Sequence, residues 1–178
     1  MYSRVLAAVK KNTDYKILDF GCGGGRFVIY FLLLGYKNIY GVDLGNETIQ
    51  RNNNFSLQLE LFGKPHFYCY DGNQLPFNNL EFDIITSKQV IEHVISLDTY
   101  YSESSRVLND RGILIVSHPH RLQPPDSHAQ RWFIHYFPKM LRKYLYDWFT
   151  ELGHSYYEQI LNLKTVTHQK KLALKFFS

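Results

Sequence analysis

The segment 17–27, ILDFGCGGGRF, constrains the fold of this chain more than any other stretch. An apolar run ends at an acidic residue, Asp19, and glycines follow at alternate positions, Gly21, Gly23 and Gly25. Glycine adopts conformations with positive φ and lets another group approach the main chain closely. The pattern predicts a buried strand that passes through a tight glycine turn into a helix. A carboxylate at the end of that strand suits a ligand with a positive charge.

Strand and helix signals alternate beyond this turn, which is typical of a doubly wound, mostly parallel α/β sheet. With 178 residues, the chain is long enough for one such domain with its own core. The predicted strands are 17–20, 39–42, 66–70, 82–86 and 112–117. The predicted helices are one after the glycine turn, one from about 47 to 61, one near 99–108, one that begins at Pro138, and one over 166–177.

Apolar spacing and capping residues predict how these helices begin, end and pack. Gly35 closes the helix after the glycine turn, Asp98 is the predicted N-cap of the 99–108 helix, and Arg111-Gly112 is a predicted turn before the fifth strand. The residues predicted to face the sheet from the first two helices are Phe27, Phe31, Leu34, Ile49, Leu57 and Leu61.

Three acidic residues end three successive predicted strands: Asp19, Asp43 and Asp71. The carboxyl ends of parallel strands meet at one edge of the sheet, and ligands of open α/β sheets bind there, where the strand order reverses. Acids placed close together repel one another, so sheet stability alone does not explain them. A ligand with hydroxyl groups and a cationic end would explain the three acidic residues.

Segment 17–27 resembles the first motif of class I S-adenosylmethionine (SAM)-dependent methyltransferases, Asp/Glu-x-Gly-x-Gly-x-Gly, and meets all four marked positions. Later segments match the family in order, and the resemblance covers about residues 15–117. These segments are YGVD (40–43), DG (71–72), LPF (75–77), FDII (82–85) and SKQVIEHV (87–94). The resemblance implies a Rossmann-like fold, SAM as cofactor and S-adenosylhomocysteine (SAH) as product.

The resemblance also implies roles for individual residues. Asp19 would help to hold the ammonium group of SAM above the glycines, Asp43 would accept both ribose hydroxyls, and Asp71 with Gly72 would lie beside the adenine. Main-chain groups near Ser87 and Lys88 would contact the methionine part. The full set of expected cofactor-binding residues is Asp19, Gly21, Cys22, Gly23, Gly25, Asp43, Leu44, Asp71, Gly72, Ser87 and Lys88.

The family sheet has seven strands in the order 3-2-1-4-5-7-6, but only 28 residues follow position 150, and they resemble a loop and a helix. We therefore expect one domain over 1–178 that lacks the last strand pair, with a core at 15–117 and an acceptor side at 118–178. The fifth strand would be an exposed edge unless the tail or a second copy of the chain covers it.

The segment after the fifth strand contains four histidines, among them His118 and His128. An oxygen acceptor needs a base to remove its proton, and histidine commonly serves. We expect His128 to be that base, with His118 as the alternative, although both side chains could instead brace the loop. No metal is expected, because no pair has helical i,i+4 spacing. The segments PHR (119–121), DSH (126–128) and FIHYFP (133–138) loosely resemble a loop of methyltransferases of bacterial cell-surface polysaccharide and related sugar or lipid pathways, with Asp126 where that loop more often has Glu. This resemblance implies a small-molecule, glycan or lipid-linked acceptor.

Other functions fit the residues less well. A dinucleotide motif, G-x-G-x-x-G, would need a third glycine at Arg26 or Val28. A nucleic-acid methyltransferase is disfavoured by the net charge of only +4 and by the lack of an Asn/Asp-Pro-Pro-Tyr/Phe motif. A SAM-binding but inactive partner subunit stays open, because the sheet is expected to be short.

The composition of the chain bears on its cellular compartment and on contact with a membrane. Two cysteines and no signal peptide favour the cytoplasm. Basic residues between Lys139 and Lys175, and aromatic residues after position 130, make peripheral contact with a membrane one possibility.

Overall fold

The computed structural model describes residues 2–9, 12–59, 66–118, 125–126, 131–132, 141, 144, 148 and 166–177. The described helices are α1 (Tyr2–Val9), α2 (Arg26–Leu33), α3 (Asn46–Gln58), α4 (Leu97–Val107) and α5 (Val166–Ala173). The described strands are β1 (Ile17–Phe20), β2 (Ile39–Asp43), β3 (Phe67–Cys69), β4 (Phe82–Lys88), β5 (Leu108–Ser117), β6 (Pro125–Asp126) and β7 (Arg131–Trp132).

Five strands form one parallel sheet in the order β3-β2-β1-β4-β5, which confirms the predicted doubly wound α/β class. The strand order reverses between β1 and β4, so the carboxyl ends of β1, β2 and β4 surround the topological switch point. The short strands β6 and β7 pair antiparallel within a segment predicted to be a loop. In the part of the chain that the structure describes, β3 and β5 are the two edge strands of the large sheet.

The central strand β1 is buried along its whole length, with apolar side chains on both faces of the sheet. Ile17 packs with Phe27 and Phe31 of α2 on one face. Leu18 packs on the other face, in a cluster that includes Tyr101 of α4 and Leu172 of α5. A strand of a parallel sheet that is covered on both faces has a nearly continuous hydrophobic sequence. For this reason β1 could be predicted from the sequence.

The inward face of α2 differs from the prediction at one residue. Phe27 and Phe31 are buried as expected, together with Val28 and Leu32. Leu34 is 46% exposed, so its predicted place against the sheet is wrong. The helix ends at Leu33, and Leu34 is already its C-cap.

The inward face of α3 is polar, contrary to prediction. Ile49 is buried, but Leu57 is 48% exposed, and Leu61 lies outside the described residues. The positions that follow Ile49 on the same face of the helix are Asn52 and Ser56, and both are buried. Their side chains are hydrogen-bonded, which offsets the cost of burying polar groups.

Two predicted boundaries around α4 are corrected by the structure. The N-cap is Ser96, whose Oγ accepts a hydrogen bond from the Thr99 N–H at 3.2 Å, so Asp98 lies within the first turn. β5 begins at Leu108, and Arg111-Gly112 lies inside it rather than in a turn before it. The pairing with β4 is irregular there, because the register passes from Phe82–Leu108 directly to Ile84–Ile113.

The C-terminal helix α5 forms where it was predicted and packs on α4. The Tyr101 hydroxyl donates to Gln169 Oε1 at 3.0 Å, and Ser105 Oγ donates to the Phe176 carbonyl at 2.8 Å. The tail therefore covers α4 through these contacts. Of the helix predicted from Pro138, only residues 141, 144 and 148 are described, and they are helical. No helix in the described part of the chain is long and apolar enough to cross a bilayer.

We predict that Gly25→Ala lowers the free energy of unfolding by about 2–3 kcal/mol, because strain at positive φ adds to a steric overlap. Gly25 has φ +70°, and an added Cβ would lie 2.7 Å from the Phe67 ring. Gly24→Ala is the matched control: nothing lies within 4 Å of its added Cβ, so we expect it to change stability by less than about 0.5 kcal/mol. Urea unfolding of both variants measures the difference, and equal stability would contradict the assigned turn geometry.

Candidate functional site

Two adjoining cavities open at the carboxyl edge of the sheet. The larger has a volume of about 570 Å³ and the smaller about 410 Å³. Gly21, Gly23 and Lys88 line both. Asp43, Leu44, Asp71 and Gly72 line the larger cavity, whereas Asp19 and Cys22 line the smaller one. The structure thus brings together residues that the sequence places up to 69 positions apart.

The glycine turn between β1 and α2 has the conformation that its sequence predicts. Gly21, Gly23 and Gly25 have φ values of +78°, +48° and +70°. The N–H groups of Gly21 and Cys22 both donate to the Val42 carbonyl, at 2.8 and 3.0 Å. A Cβ at Gly21 would overlap the side chain of Val90, so the segment after β4 lies directly against the turn.

Asp43 fixes the turn from the end of the neighbouring strand. Its Oδ2 accepts a hydrogen bond from the Gly23 N–H at 2.8 Å, and its Oδ1 accepts one from the Leu44 N–H at 2.8 Å. Each carboxylate oxygen has a second acceptor position. Asp43 can therefore hold the turn and still accept hydrogen bonds from a ligand in the larger cavity.

Asn52 fixes the same turn from the other side and was missed by sequence reasoning. Its Nδ2 donates to the Gly23 carbonyl at 2.8 Å, and the residue is 4% exposed. The adjacent Asn53 exchanges hydrogen bonds with both main-chain groups of Phe67 in β3. The available signal was a polar residue three positions after the buried Ile49, on the inward face of a helix.

Asp19 is a buried carboxylate at the end of the central strand. It is 5% exposed, and its Oδ1 accepts a hydrogen bond from Thr86 Oγ1 at 2.9 Å. Burial raises the pKa of Asp19 to about 7, and the negative charge of Asp43 adds to this effect. The hydroxyl of Thr86 and the more distant charge of Lys88 oppose it. Thr86 had no sequence signal, because only the parallel pairing of β1 with β4 places it beside Asp19.

Asp71 differs from Asp19 in its surroundings. It lies in an exposed loop, where its Oδ1 accepts hydrogen bonds from the N–H groups of Asn73 and Gln74 at 2.8 and 3.0 Å. These hydrogen bonds hold the pKa of Asp71 below its ordinary value. This carboxylate is therefore ionised and oriented at the rim of the larger cavity.

An aromatic wall, also missed in the sequence, closes one side of the larger cavity. It consists of Phe20, Tyr70 and Tyr100. Phe20 stacks on Tyr100 with ring centroids 4.8 Å apart and meets Tyr70 edge-on at 5.6 Å. Burial raises the pKa of Tyr70 to about 12, so its hydroxyl stays protonated at neutral pH. The wall can pack against a flat, apolar part of a ligand.

Two predicted cofactor-binding residues line neither cavity. Gly25 is the N-cap of α2 and lies against Phe67. Ser87 is fully buried. Cys22 is 8% exposed, and burial raises the pKa of its thiol.

The acceptor-side histidines are described only in part. His118 follows β5 directly and is half-buried, but it lines neither cavity, and His128 lies outside the described residues. His93, from the Glu-His pair after β4, lines the larger cavity and was not among the expected bases. Within the described ranges, no cluster of three or more His, Cys, Asp or Glu side chains could hold a metal ion.

Sequence comparison matches the central part of the chain to known methyltransferases. The family model for the methyltransferase domain matches residues 18–116. The chain is 24% identical over 120 residues to a ubiquinone biosynthesis O-methyltransferase of Pelagibacter ubique, covering 64% of this chain and 46% of that protein. It is 35% identical over 97 residues to a sterol 24-C-methyltransferase of Pneumocystis carinii, covering 54% of this chain and 26% of that protein. The chain thus spans less than half of these curated relatives.

Comparison with solved structures shows the same fold. A crystal structure of an S-adenosylmethionine-dependent methyltransferase from Mesorhizobium loti superimposes with a TM-score of 0.67 at 17% identity. The superposition covers 97% of this chain and 78% of that one. At this level of identity the likeness establishes the Rossmann-like architecture.

We predict that Asp19 makes the stability of the unliganded protein fall as the pH rises from about 4 to about 7. The folded state retains a proton on Asp19 up to about pH 7, whereas the unfolded chain loses it near its ordinary value of 3.8, so the folded state binds more protons throughout this window. Asp19→Asn should remove the effect, because it keeps an acceptor for Thr86 without the charge. The variant should match the parent at pH 4 and exceed it at pH 8 by up to about 4 kcal/mol.

Denaturant unfolding of parent and variant between pH 4 and 8 measures this difference. Asp14→Asn removes an exposed carboxylate and is the matched control. A stability difference that stays constant across this pH range would contradict a protonated Asp19.

Proposed function

The chain belongs to the methyltransferase domain family and uses SAM, and we propose that it transfers the methyl group of SAM to an oxygen atom of a small-molecule, glycan or lipid-linked acceptor. One observation carries the assignment of the cofactor site: Asp43, fixed by the N–H groups of Gly23 and Leu44, lies where the glycine turn meets the larger cavity. A carboxylate there can accept two hydroxyls of one ligand and keep the turn in place.

The cavities fit the three chemical parts of SAM. In the smaller cavity, the carboxylate of Asp19 would face the ammonium group, beside glycines that have no side chain to obstruct it. In the larger cavity, Asp43 would accept the ribose hydroxyls. Asp71 and Gly72 would lie beside the adenine, where the ionised carboxylate can accept a hydrogen bond from the exocyclic amine. The aromatic wall would pack against the base or the acceptor.

SAM supplies an activated methyl group on a sulfonium sulfur, and the residues of this chain position the reacting groups. In-line displacement gains most of its rate from holding the acceptor oxygen and the methyl carbon in line. The remaining task is to remove the proton of the acceptor hydroxyl. We assign it to His128, with His118 at the end of β5 as the alternative. Lys88 lines both cavities, which supports a contact between its main chain and the methionine part.

The oxygen target is supported by one of the similar proteins and opposed by another. The Pelagibacter relative is named an O-methyltransferase of ubiquinone biosynthesis, whereas the Pneumocystis relative is named a C-methyltransferase of sterols. The histidines after β5 are consistent with an oxygen target, because transfer to a hydroxyl requires a base that removes its proton.

Transfer of tritiated methyl groups from SAM tests the proposed reaction. The purified chain is incubated with a catechol, a methyl glycoside and a sterol in separate assays. Label in the catechol or the glycoside is expected, and label in the sterol would overturn the oxygen assignment. Binding of SAH without transfer to any acceptor would favour the inactive partner subunit instead.

We predict that His128→Ala lowers methyl transfer about 100-fold or more, because it removes the proposed base. The affinity for SAH should stay within about twofold, since His128 is assigned to the acceptor and not to the cofactor. His118→Ala, made in parallel, decides between the two histidines. Initial rates with the labelled acceptor and calorimetry with SAH provide the two measurements. A loss of folding in His128→Ala, seen by circular dichroism, would indicate that this residue braces the loop.

We predict that Asp43→Ala weakens SAH binding by about 1–3 kcal/mol, because it removes the acceptor of two hydrogen bonds. Asp14→Ala, on the opposite edge of the sheet before β1, is the control and should leave the affinity unchanged. Isothermal titration with SAH measures both. Unchanged affinity in Asp43→Ala would refute the ribose assignment.

A further inference from the structure

We propose that binding of the amino-acid end of the cofactor releases one proton from Asp19, so that occupancy of the site depends on pH below neutrality. This inference rests on the proposed cofactor site and adds to it a change in the protonation state of one named residue. It follows from the position of Asp19 in the sheet and from the groups that surround its carboxylate.

The carboxylate of Asp19 is poorly solvated, with only 5% of the residue exposed. β1 is the central strand, with β2 on one side and β4 on the other, and every residue of β1 is buried. The hydrogen bond from Thr86 is the only one that the carboxylate accepts among the described residues. A single neutral donor does not replace the water that an ionised carboxylate loses on burial.

The charges that face Asp19 do not compensate its own charge. Asp43 at the end of β2 adds a second negative charge, and the buried thiol of Cys22 contributes none. Lys88 at the end of β4 and Arg26 at the start of α2 line the same cavity, but both are exposed. Neither forms an ion pair with Asp19 within the described part of the chain. The protonated form is therefore the stable form of Asp19 in the unliganded protein near pH 6.

A bound ammonium group reverses this preference. The amino-acid end of SAM or SAH has one ammonium and one carboxylate group, and only the ammonium complements Asp19. An opposite charge within hydrogen-bond distance favours the ionised carboxylate. Binding then converts a neutral Asp19 carboxylic acid and a free ammonium into a carboxylate–ammonium pair, and the proton of Asp19 goes to solvent. The two cations at the rim, Arg26 and Lys88, are placed to attract the ligand's carboxylate.

Linkage fixes the size of the effect. Below the titration midpoint of Asp19 in the free protein, each decrease of one pH unit should lower the affinity for SAH about tenfold, because one proton must leave Asp19 on binding. Above this midpoint the affinity should be level, until the ligand's own amino group begins to lose its proton near pH 8 or above. The profile therefore has a slope of one only on the acid side.

Calorimetry with SAH between pH 5.5 and 7.5, in pairs of buffers with different ionisation enthalpies, tests the proposal. We expect about one proton released per SAH at pH 6 and clearly less at pH 7.5. The compound 5′-methylthioadenosine keeps the adenine, ribose and sulfur of SAH and lacks the amino-acid end. Its binding should release no proton and should not vary with pH.

Two variants locate the proton. Asp19→Asn should abolish proton release with SAH while leaving the affinity for 5′-methylthioadenosine within about twofold. Thr86→Val removes the donor that favours the ionised form, so it should shift the SAH profile to higher pH without affecting 5′-methylthioadenosine. Carbon-13 NMR of the side-chain carboxyl groups, with the Asp19 signal identified by its loss in Asp19→Asn, follows the same group without ligand. A midpoint near pH 7 is expected.

The results separate this inference from the cofactor assignment. SAH binding with no proton release and no pH dependence, or an Asp19 midpoint below about pH 5 in the free protein, would overturn the inference alone. Failure of SAH and 5′-methylthioadenosine to bind at any pH would overturn both the inference and the cofactor site in this chain.

Discussion

The conformation of the glycine turn between β1 and α2 is the constraint on which the site depends. Its left-handed residues would be unfavourable for most side chains, and two side chains from neighbouring elements hold it: Asp43 at the end of β2 and Asn52 in α3. Both bind the main chain of Gly23. Because these residues belong to β2 and α3, the turn is held only when the sheet and its covering helix have assembled.

Two carboxyl groups at the same edge of the sheet, those of Asp71 and Asp19, have very different surroundings. Asp71 lies in solvent with main-chain donors around one oxygen, whereas Asp19 is buried and has only the Thr86 hydroxyl. The two carboxylates therefore differ in protonation, although Asp19 is the last residue but one of β1 and Asp71 closely follows β3 at the same edge of the sheet. Burial of the Asp19 carboxyl group lowers the stability of the unliganded protein, and a cationic ligand would offset this loss. A destabilising buried charge of this kind is typical of functional sites.

The sequence predicted the parts of the fold that come from strong local patterns. The glycine turn, the five parallel strands and the C-terminal helix were found because continuous apolar runs and glycine spacing have few other interpretations. Predictions based on single side chains were less successful. By residue type Leu57 is a better core candidate than Ser56, but the helix phase buries Ser56. Asp98 and Ser96 are equally good N-caps by residue type, and the position at which the helix begins makes Ser96 the cap.

By itself the sequence determined the fold class and the position of the glycine turn, because these follow from local patterning. The resemblance of its motifs to those of methyltransferases identified nine of the residues that line the two cavities. Only the tertiary structure decided which groups surround each carboxylate. Thr86 lies beside Asp19 through the register of β1 with β4, and Asn52 reaches Gly23 through the packing of α3. Protonation and orientation depend on such distant neighbours, since burial and hydrogen bonding act through space rather than along the chain.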